Sequence, residues 1–315
     1  MVKVGGLRTL PPTRDLFARG RRSARLVEPT SDASYLPETQ ERRTKPRAPL
    51  HFQRLELKYF MPYRWIEHFV ERISPFTAID PYLVQEGRGR TRYPVTSLYF
   101  DSWDLQAWGE KENGQFFRRK IRLRSYEEEF ATEQPSFLEI KRRLDAVVLK
   151  DRIKFPSGSL TPDVPMGDLM QHLLRVAQTR DATSEEANMM LGWLNLRPSA
   201  LVRYQRLALV AAEDPNMRIT VDHHIQGAWR PSFILGTVPM RHIDNINATG
   251  LTGISGKYAI LELKSNNVFP AWLHDVIQEL ELARTAFSKY YLTVLALRPS
   301  LLEDCDARFV SDRRS

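Results

Sequence analysis

The sequence predicts an α+β fold, with consecutive antiparallel strands forming a barrel or sheet and helices flanking it. Three observations predict it. Six segments alternate charged and apolar residues at the two-residue period of a strand. The strands follow one another through short turns, which excludes βαβ units. Several stretches of helical period fall between and after them.

Taken in order, residues 53–61 read as a strand stopped by Pro62. Residues 63–74 carry Trp65, Ile66, Phe69, Val70 and Ile73 at helical spacing. Segments 82–85 and 95–100 read as strands either side of a Gly/Arg turn at 87–90. Ser102 is placed to N-cap a short helix through Trp108. Strands follow at 116–126, 136–143 and 147–155, the last two joined at Asp145-Ala146. Segments 166–178 and 184–194 are helical. Strands resume at 200–211, 216–222, near 233–239 and at 258–265. The end is helical over 271–282 and 287–297.

The 315 residues divide unevenly in charge. The formal net charge is +8, yet residues 1–50 alone hold eleven Lys/Arg against five Asp/Glu, a net of +6. The rest carries about +2, so nucleic acid is not the expected partner of the folded part. Residues 1–50 read as a basic, disordered tail. One domain is expected over 51–298, with 299–315 as a C-terminal tail. The single cysteine, Cys305, excludes a disulfide framework and a Cys-based zinc site and fits a cytoplasmic protein. No apolar run approaches the roughly 20 residues that span a bilayer. The N-terminus has no apolar signal core, and Arg21-Arg22 has no apolar stretch after it.

The chemistry lies in the alternation. In Lys120-Ile121-Arg122-Leu123-Arg124 the arginines face one way and Ile121 and Leu123 the other. Three strands carry Glu-x-Lys at the same spacing: Glu56/Lys58, Glu139/Lys141 and Glu262/Lys264. For any one strand, a solvated outer face is the simpler reading. Together the faces repeat Arg and Lys with a sparse set of Glu, which a barrel interior filled by a polyanion would explain. The carboxylates among the cations suggest a divalent metal. Gly87-Arg88-Gly89-Arg90 is no phosphate loop, since no Gly-Lys-Ser/Thr follows. His223 and His224, as strand neighbours, are expected on opposite faces. Asp101 reads as a capping or turn residue.

These residues resemble the VTC domain, the polyphosphate polymerase branch of the CYTH or triphosphate tunnel metalloenzyme superfamily. The likeness covers about residues 50–295. It runs in order through Arg54-Leu-Glu56-Leu-Lys58-Tyr59, Ser97-Leu-Tyr-Phe-Asp101, Ile121-Arg122-Leu-Arg124-Ser-Tyr126, Phe137-Leu-Glu139-Ile-Lys141 and Lys150-Asp-Arg152. It continues through Val202-Arg-Tyr204-Gln-Arg206, Arg218-Ile-Thr-Val-Asp222, Leu261-Glu262-Leu-Lys264 and Phe287-Ser288-Lys289-Tyr290.

The resemblance implies an eight-stranded antiparallel β-tunnel, a closed barrel, that holds ATP, triphosphate or polyphosphate and transfers a phosphoryl group. It implies phosphate contacts at Lys58, Arg122, Arg124, Lys141, Lys150, Arg152, Tyr204, Arg206, Arg218, Lys264, Ser288 and Lys289. Catalysis would fall to Lys58, Arg122, Arg124, Lys141, Arg206 and Glu262. Mn²⁺ or Mg²⁺ would sit on Glu262, with Glu56 and Glu139 behind it. Hydrolase members begin Glu-x-Glu-x-Lys, whereas Arg54 stands at the first Glu here, which favours the polymerase branch over a triphosphatase. The SPX domain and membrane helices of fungal members have no counterpart in the sequence, which counts against synthesis coupled to transport; a membrane-protein partner is a separate expectation.

Overall fold

The structure, a computed structural model, describes residues 55–81, 83, 91–144, 147–177, 181–245 and 254–298. The expectations for both tails, Arg54, the 87–90 turn, Asp145-Ala146 and Cys305 lie outside the described residues. Ten strands form one sheet: β1 (Leu55–Pro62), β2 (Thr77–Ile79), β3 (Arg92–Asp101), β4 (Phe117–Ser125), β5 (Ser136–Leu144), β6 (Val147–Phe155), β7 (Arg197–Ala211), β8 (Arg218–Trp229), β9 (Arg241–His242) and β10 (Tyr258–Ser265). Eight run side by side in the order β1-β10-β8-β7-β3-β4-β5-β6, every pair antiparallel; β2 pairs with β7 and β9 with β8.

The sheet curls into a tunnel. Six strand steps separate β1 from β5, which in a flat sheet would be about 29 Å. Instead the Lys141 Nζ of β5 lies 3.8 Å from the Glu56 Oε2 of β1. The charged faces of strands at opposite ends of the path therefore look at each other.

Burying the outer faces needs helices, and among the described residues these include α1 (Ile66–Ile73), α2 (Gln106–Glu112), α3 (Leu169–Val176), α4 (Ala182–Leu194), α5 (Ala271–Glu279) and α6 (Lys289–Leu297). Ile66, Phe69 and Ile73 recur at helical spacing, so α1 has one apolar stripe. With Leu273 and Val276 of α5 it covers Tyr59, Met61, Ile219 and Leu261 on the outside of the tunnel. Leu169, Met170 and Leu173 of α3 and Ala187 and Met190 of α4 cover Leu98, Ile121, Leu138 and Ile153 in the same way. Fully burying such side chains contributes about 1.5–3 kcal/mol each.

The third apolar cluster lies against the inward face at one end. There Tyr290, Tyr291 and Val294 of α6 pack on Phe60, Tyr99, Val202, Tyr204 and Ile260. Ser288 N-caps α6, its hydroxyl accepting from the Tyr291 N–H at 3.1 Å. Close approach of α6 to β8 needs Gly227, where an added Cβ would come 2.6 Å from the Thr293 methyl.

Several local expectations are corrected. No strand forms over 233–239; only Leu235 bridges, to Phe130. Gly236 at φ 73° and Pro239 break up that segment, and Pro231 stands just before it. Leu83, the described residue of the 82–85 segment, is helical, not extended. The helix expected from Ser102 begins at Gln106, whose N–H donates to the Ser102 hydroxyl at 2.9 Å. Asp101 caps it, as expected, accepting from the N–H groups of Ala107 at 2.8 Å and Trp108 at 3.1 Å. His223 and His224 do not point apart. His224 takes φ 51° at a register break between β7 and β8, and the two rings lie 4.8 Å apart.

Candidate active site

Alternation turns Lys58 of β1, Lys120, Arg122 and Arg124 of β4, Lys141 of β5 and Lys150 and Arg152 of β6 inward. Arg206 of β7 and Lys264 of β10 join them from the other wall. Lys289 enters from the first turn of α6. Three groups of ion pairs organise them.

The first centres on Glu139, which is 1% exposed. Arg122 donates to it through Nε at 2.8 Å and Nη2 at 2.7 Å. Lys150 Nζ is at 2.8 Å, Arg152 Nε at 2.9 Å and Arg124 Nη1 at 3.7 Å. Burial alone would raise the Glu139 carboxyl, but Arg122, Arg124 and Lys150 hold it far below the usual carboxylate range. The outer sides of these cations meet aromatic groups. Arg122 donates to the Tyr99 hydroxyl at 3.0 Å, Arg124 reaches the Tyr204 hydroxyl at 3.4 Å, and Arg152 lies 4.7 Å from the Phe137 ring.

The second group is Asp222, fully buried on β8. Arg206 grips it with two parallel bonds, Nε at 2.6 Å and Nη2 at 2.7 Å, and Lys289 Nζ reaches it at 2.5 Å. Both Arg206 and Lys289 also lie over the face of Tyr204, at 5.4 and 4.7 Å.

The third group joins β1 and β10. Lys58 Nζ is 2.8 Å from Glu56, and Lys264 Nζ is 2.6 Å from Glu262. Register sets Lys58 opposite Glu262 and Glu56 opposite Lys264, so charges alternate across the pair. Burial opposes charge on Glu262, yet Lys264, Lys58, Lys289 and Arg206 keep it well below the usual carboxylate range. Lys141, facing this group, is pushed down to about 8 by burial, with Lys58 and Lys264 adding repulsion. Burial, with Arg122 and Arg124 near, pushes Lys150 down to about 8 as well.

A family model described as the VTC domain matches residues 53–298. The chain belongs to the VTC domain family. Comparison with curated proteins found no match. Among solved structures, the chain is similar to a Bacillus halodurans protein assigned as an adenylate cyclase, at 8% identity and TM-score 0.39, over 75% of this chain and 95% of that one. It is also similar to PH1819 from Pyrococcus horikoshii, at 12% identity and TM-score 0.36, over 77% and 97%. HpAC1 from Hippeastrum, described with a dominant triphosphatase activity, matches at 12% identity and TM-score 0.38, over 76% and 93%. At these TM-scores the likenesses carry no inference about this chain.

In this VTC domain most of the residues singled out from sequence meet in one interior, with exceptions in detail. Arg218 stands at the start of β8, half exposed and paired with Asp80. Ser288 caps α6 and accepts from Lys120 Nζ at 2.9 Å. Three participants were missed. Asp222 shares a face with Thr220 and Arg218, a signal visible in the alternation of its strand. Lys120 precedes Arg122 by two residues and was equally legible. Tyr99 was not, because the 95–100 segment of its strand carries no alternating charge. Its ring stacks on Tyr290 at 5.0 Å, and its hydroxyl is lowered: burial raises it, but Arg122 and Arg124 outweigh burial.

The carboxylates differ in fitness for a metal. Glu139 has both oxygens committed to arginine and lysine donors. Among the described residues no three Asp, Glu, His or Cys side chains group closely enough to hold an ion alone. Burial and the nearby Glu262 charge both raise the Glu56 carboxyl, but Lys58, Lys141 and Lys264 outweigh them and hold it below its usual range. Glu56 and Glu262 each pair with a lysine through one oxygen and keep the other 3.8–3.9 Å from the next cation, so these two carboxylates would be the ones to hold Mg²⁺ or Mn²⁺ jointly with substrate phosphate oxygens. No helix among the described residues is long and apolar enough to cross a membrane.

Proposed function

We propose that this VTC domain is a polyphosphate polymerase that transfers the γ-phosphoryl group of ATP to a growing inorganic polyphosphate chain. One observation carries the reading. Cations outnumber the carboxylates Glu56, Glu139, Asp222 and Glu262 in a single enclosed interior, which favours a polyanion as occupant.

Phosphoryl transfer demands mainly positioning and charge neutralisation. Arg122, Arg124 and Lys150 are held in place by Glu139, and Arg206 and Lys289 by Asp222, so their donors are ordered before substrate arrives. The end of the phosphate chain is itself the nucleophile, so no serine or cysteine is needed. Lys58, Lys141 and Lys264 would neutralise the phosphates nearest Glu56 and Glu262, which would hold Mn²⁺ or Mg²⁺. When bound, the ion spreads the charge of the transferring group.

Product analysis with γ-labelled ATP tests this. Long labelled chains are expected. Free labelled phosphate alone would make the tunnel a hydrolase, and no turnover with retained triphosphate binding would make it a binding module. Arg122→Ala and Arg124→Ala should each weaken triphosphate binding by roughly 1.5–3 kcal/mol, the scale of a hydrogen bond to a charged group. Unchanged calorimetric affinity in the double variant would remove these two arginines from the phosphate site.

A further inference from the structure

A second cleft lies outside the tunnel, between the end of β8, the irregular segment after it and the last turn of α6. It encloses about 490 Å³, within the range of small-molecule sites. Trp229, Phe233, Pro239 and Leu297 form its apolar wall, and Arg230 and Arg241 its polar side.

One of its two arginines, Arg230, is stacked on aromatic rings, and Arg298 flanks the same Trp229 from outside the lining. The Arg230 guanidinium lies 3.9 Å from the Trp103 ring and 5.1 Å from the Trp229 ring, and Arg298 lies 5.5 Å from Trp229. One Arg230 N–H is held by the Trp103 carbonyl at 2.9 Å. Among the described residues none of Arg230, Arg241 and Arg298 pairs with a carboxylate. Other surface arginines do: Arg72 with Glu279, Arg92 with Glu67 and Arg142 with Glu186. A guanidinium stacked on an indole keeps its remaining N–H donors in plane, where they match the geometry of a phosphate. Arg230 adopts φ 42°, a backbone state that residues other than glycine enter rarely and that clusters at functional sites. Phe233 stays 46% exposed on the wall, an aromatic face open to a planar ring.

We propose that this cleft binds a mononucleotide, with the base against Phe233 and the apolar wall and the phosphate on Arg230 and Arg241. A bare polyanion would leave the aromatic wall unused, and a neutral ring would leave the arginines unmatched. The site is separate from the tunnel and does not depend on the reaction there.

The test uses AMP as probe and the full chain with its tunnel saturated by inorganic triphosphate. Calorimetry should show AMP binding. Adenosine, lacking the anion, and ribose 5-phosphate, lacking the base, should each bind at least about tenfold more weakly. The Arg230→Gln/Arg241→Gln double variant should lose at least about tenfold in AMP affinity while keeping its triphosphate affinity and circular dichroism. Phe233→Ser, at an exposed position, should give a similar loss and guards against misfolding of the first variant. The proposal is overturned if AMP fails to bind the wild type, if triphosphate displaces it, if inorganic phosphate binds as well as AMP, or if both variants bind AMP normally.

Discussion

Replacing Glu139 by glutamine removes one charge from the most crowded point of the tunnel. The carboxylate is 1% exposed and has Arg122, Lys150 and Arg152 within 2.9 Å, with Arg124 at 3.7 Å. Removing one partner from a buried ion cluster costs about 3–5 kcal/mol, because the remaining charges keep their desolvation penalty without compensation. For a domain of this size each kcal/mol lowers the melting temperature by about 2–4 °C, so a fall of roughly 6–20 °C is expected without ligand. Triphosphate supplies the missing negative charge. It should therefore restore more stability to Glu139→Gln than it adds to the wild type, in proportion to its tighter binding. Thermal denaturation of both proteins, with and without triphosphate, checks the pair of effects. An unchanged melting temperature would mean that Glu139 does not neutralise these cations. Equal stabilisation of the two proteins by triphosphate would mean that the cations do not face the bound chain.

Other outcomes follow from the same geometry. Lys141 and Lys150 have pKa values lowered to about 8, and the polyanion binds their charged forms. Triphosphate affinity should then fall as pH rises through 8, by up to about tenfold per lysine between pH 7 and 9. Calorimetry at pH 8 in buffers of different ionisation enthalpy should register proton uptake, and its absence would refute the assignment. Glu262→Gln should abolish Mn²⁺- or Mg²⁺-dependent turnover with the fold retained; near-normal activity at limiting metal would move the ion elsewhere. Gly227→Ala should destabilise the protein by about 1–3 kcal/mol through overpacking of α6 on β8, read by denaturant unfolding.

The strands were legible where alternation was strong. The Lys120–Arg124 segment and the three Glu-x-Lys strands appear where their period placed them. Alternation alone left open which face was enclosed, because an open sheet with charge in water has the same pattern. The enclosure shows only in contacts between distant strands, such as Lys141 with Glu56. Tyr99 escaped notice because the 95–100 segment of β3 carries no charge on either face, Leu98 and Phe100 packing against helices and Val95 and Tyr99 against α6. The His223–His224 pair defeated the two-residue rule because a single left-handed residue resets it. The failed strand at 233–239 contains apolar residues at strand spacing, but its glycine, its one proline and Pro231 just before it decided the outcome.

The Glu139 cluster also bears on how the chain acquires its shape. All four of its cations come from β4 and β6, the strands hairpinned on either side of β5. The partners lie only 11 to 17 residues from Glu139 along the chain. Glu56 with Lys58 and Glu262 with Lys264 lie two residues apart. Such short loops close at small entropic cost. Much of the interior charge is thus counterbalanced within single strands or one three-stranded meander, before the distant walls meet. Contacts of short sequence separation favour early formation of the β4–β5–β6 meander, and the long-range closure that brings β1 and β10 to it is expected to be the slow step, which refolding kinetics of Glu139→Gln would test.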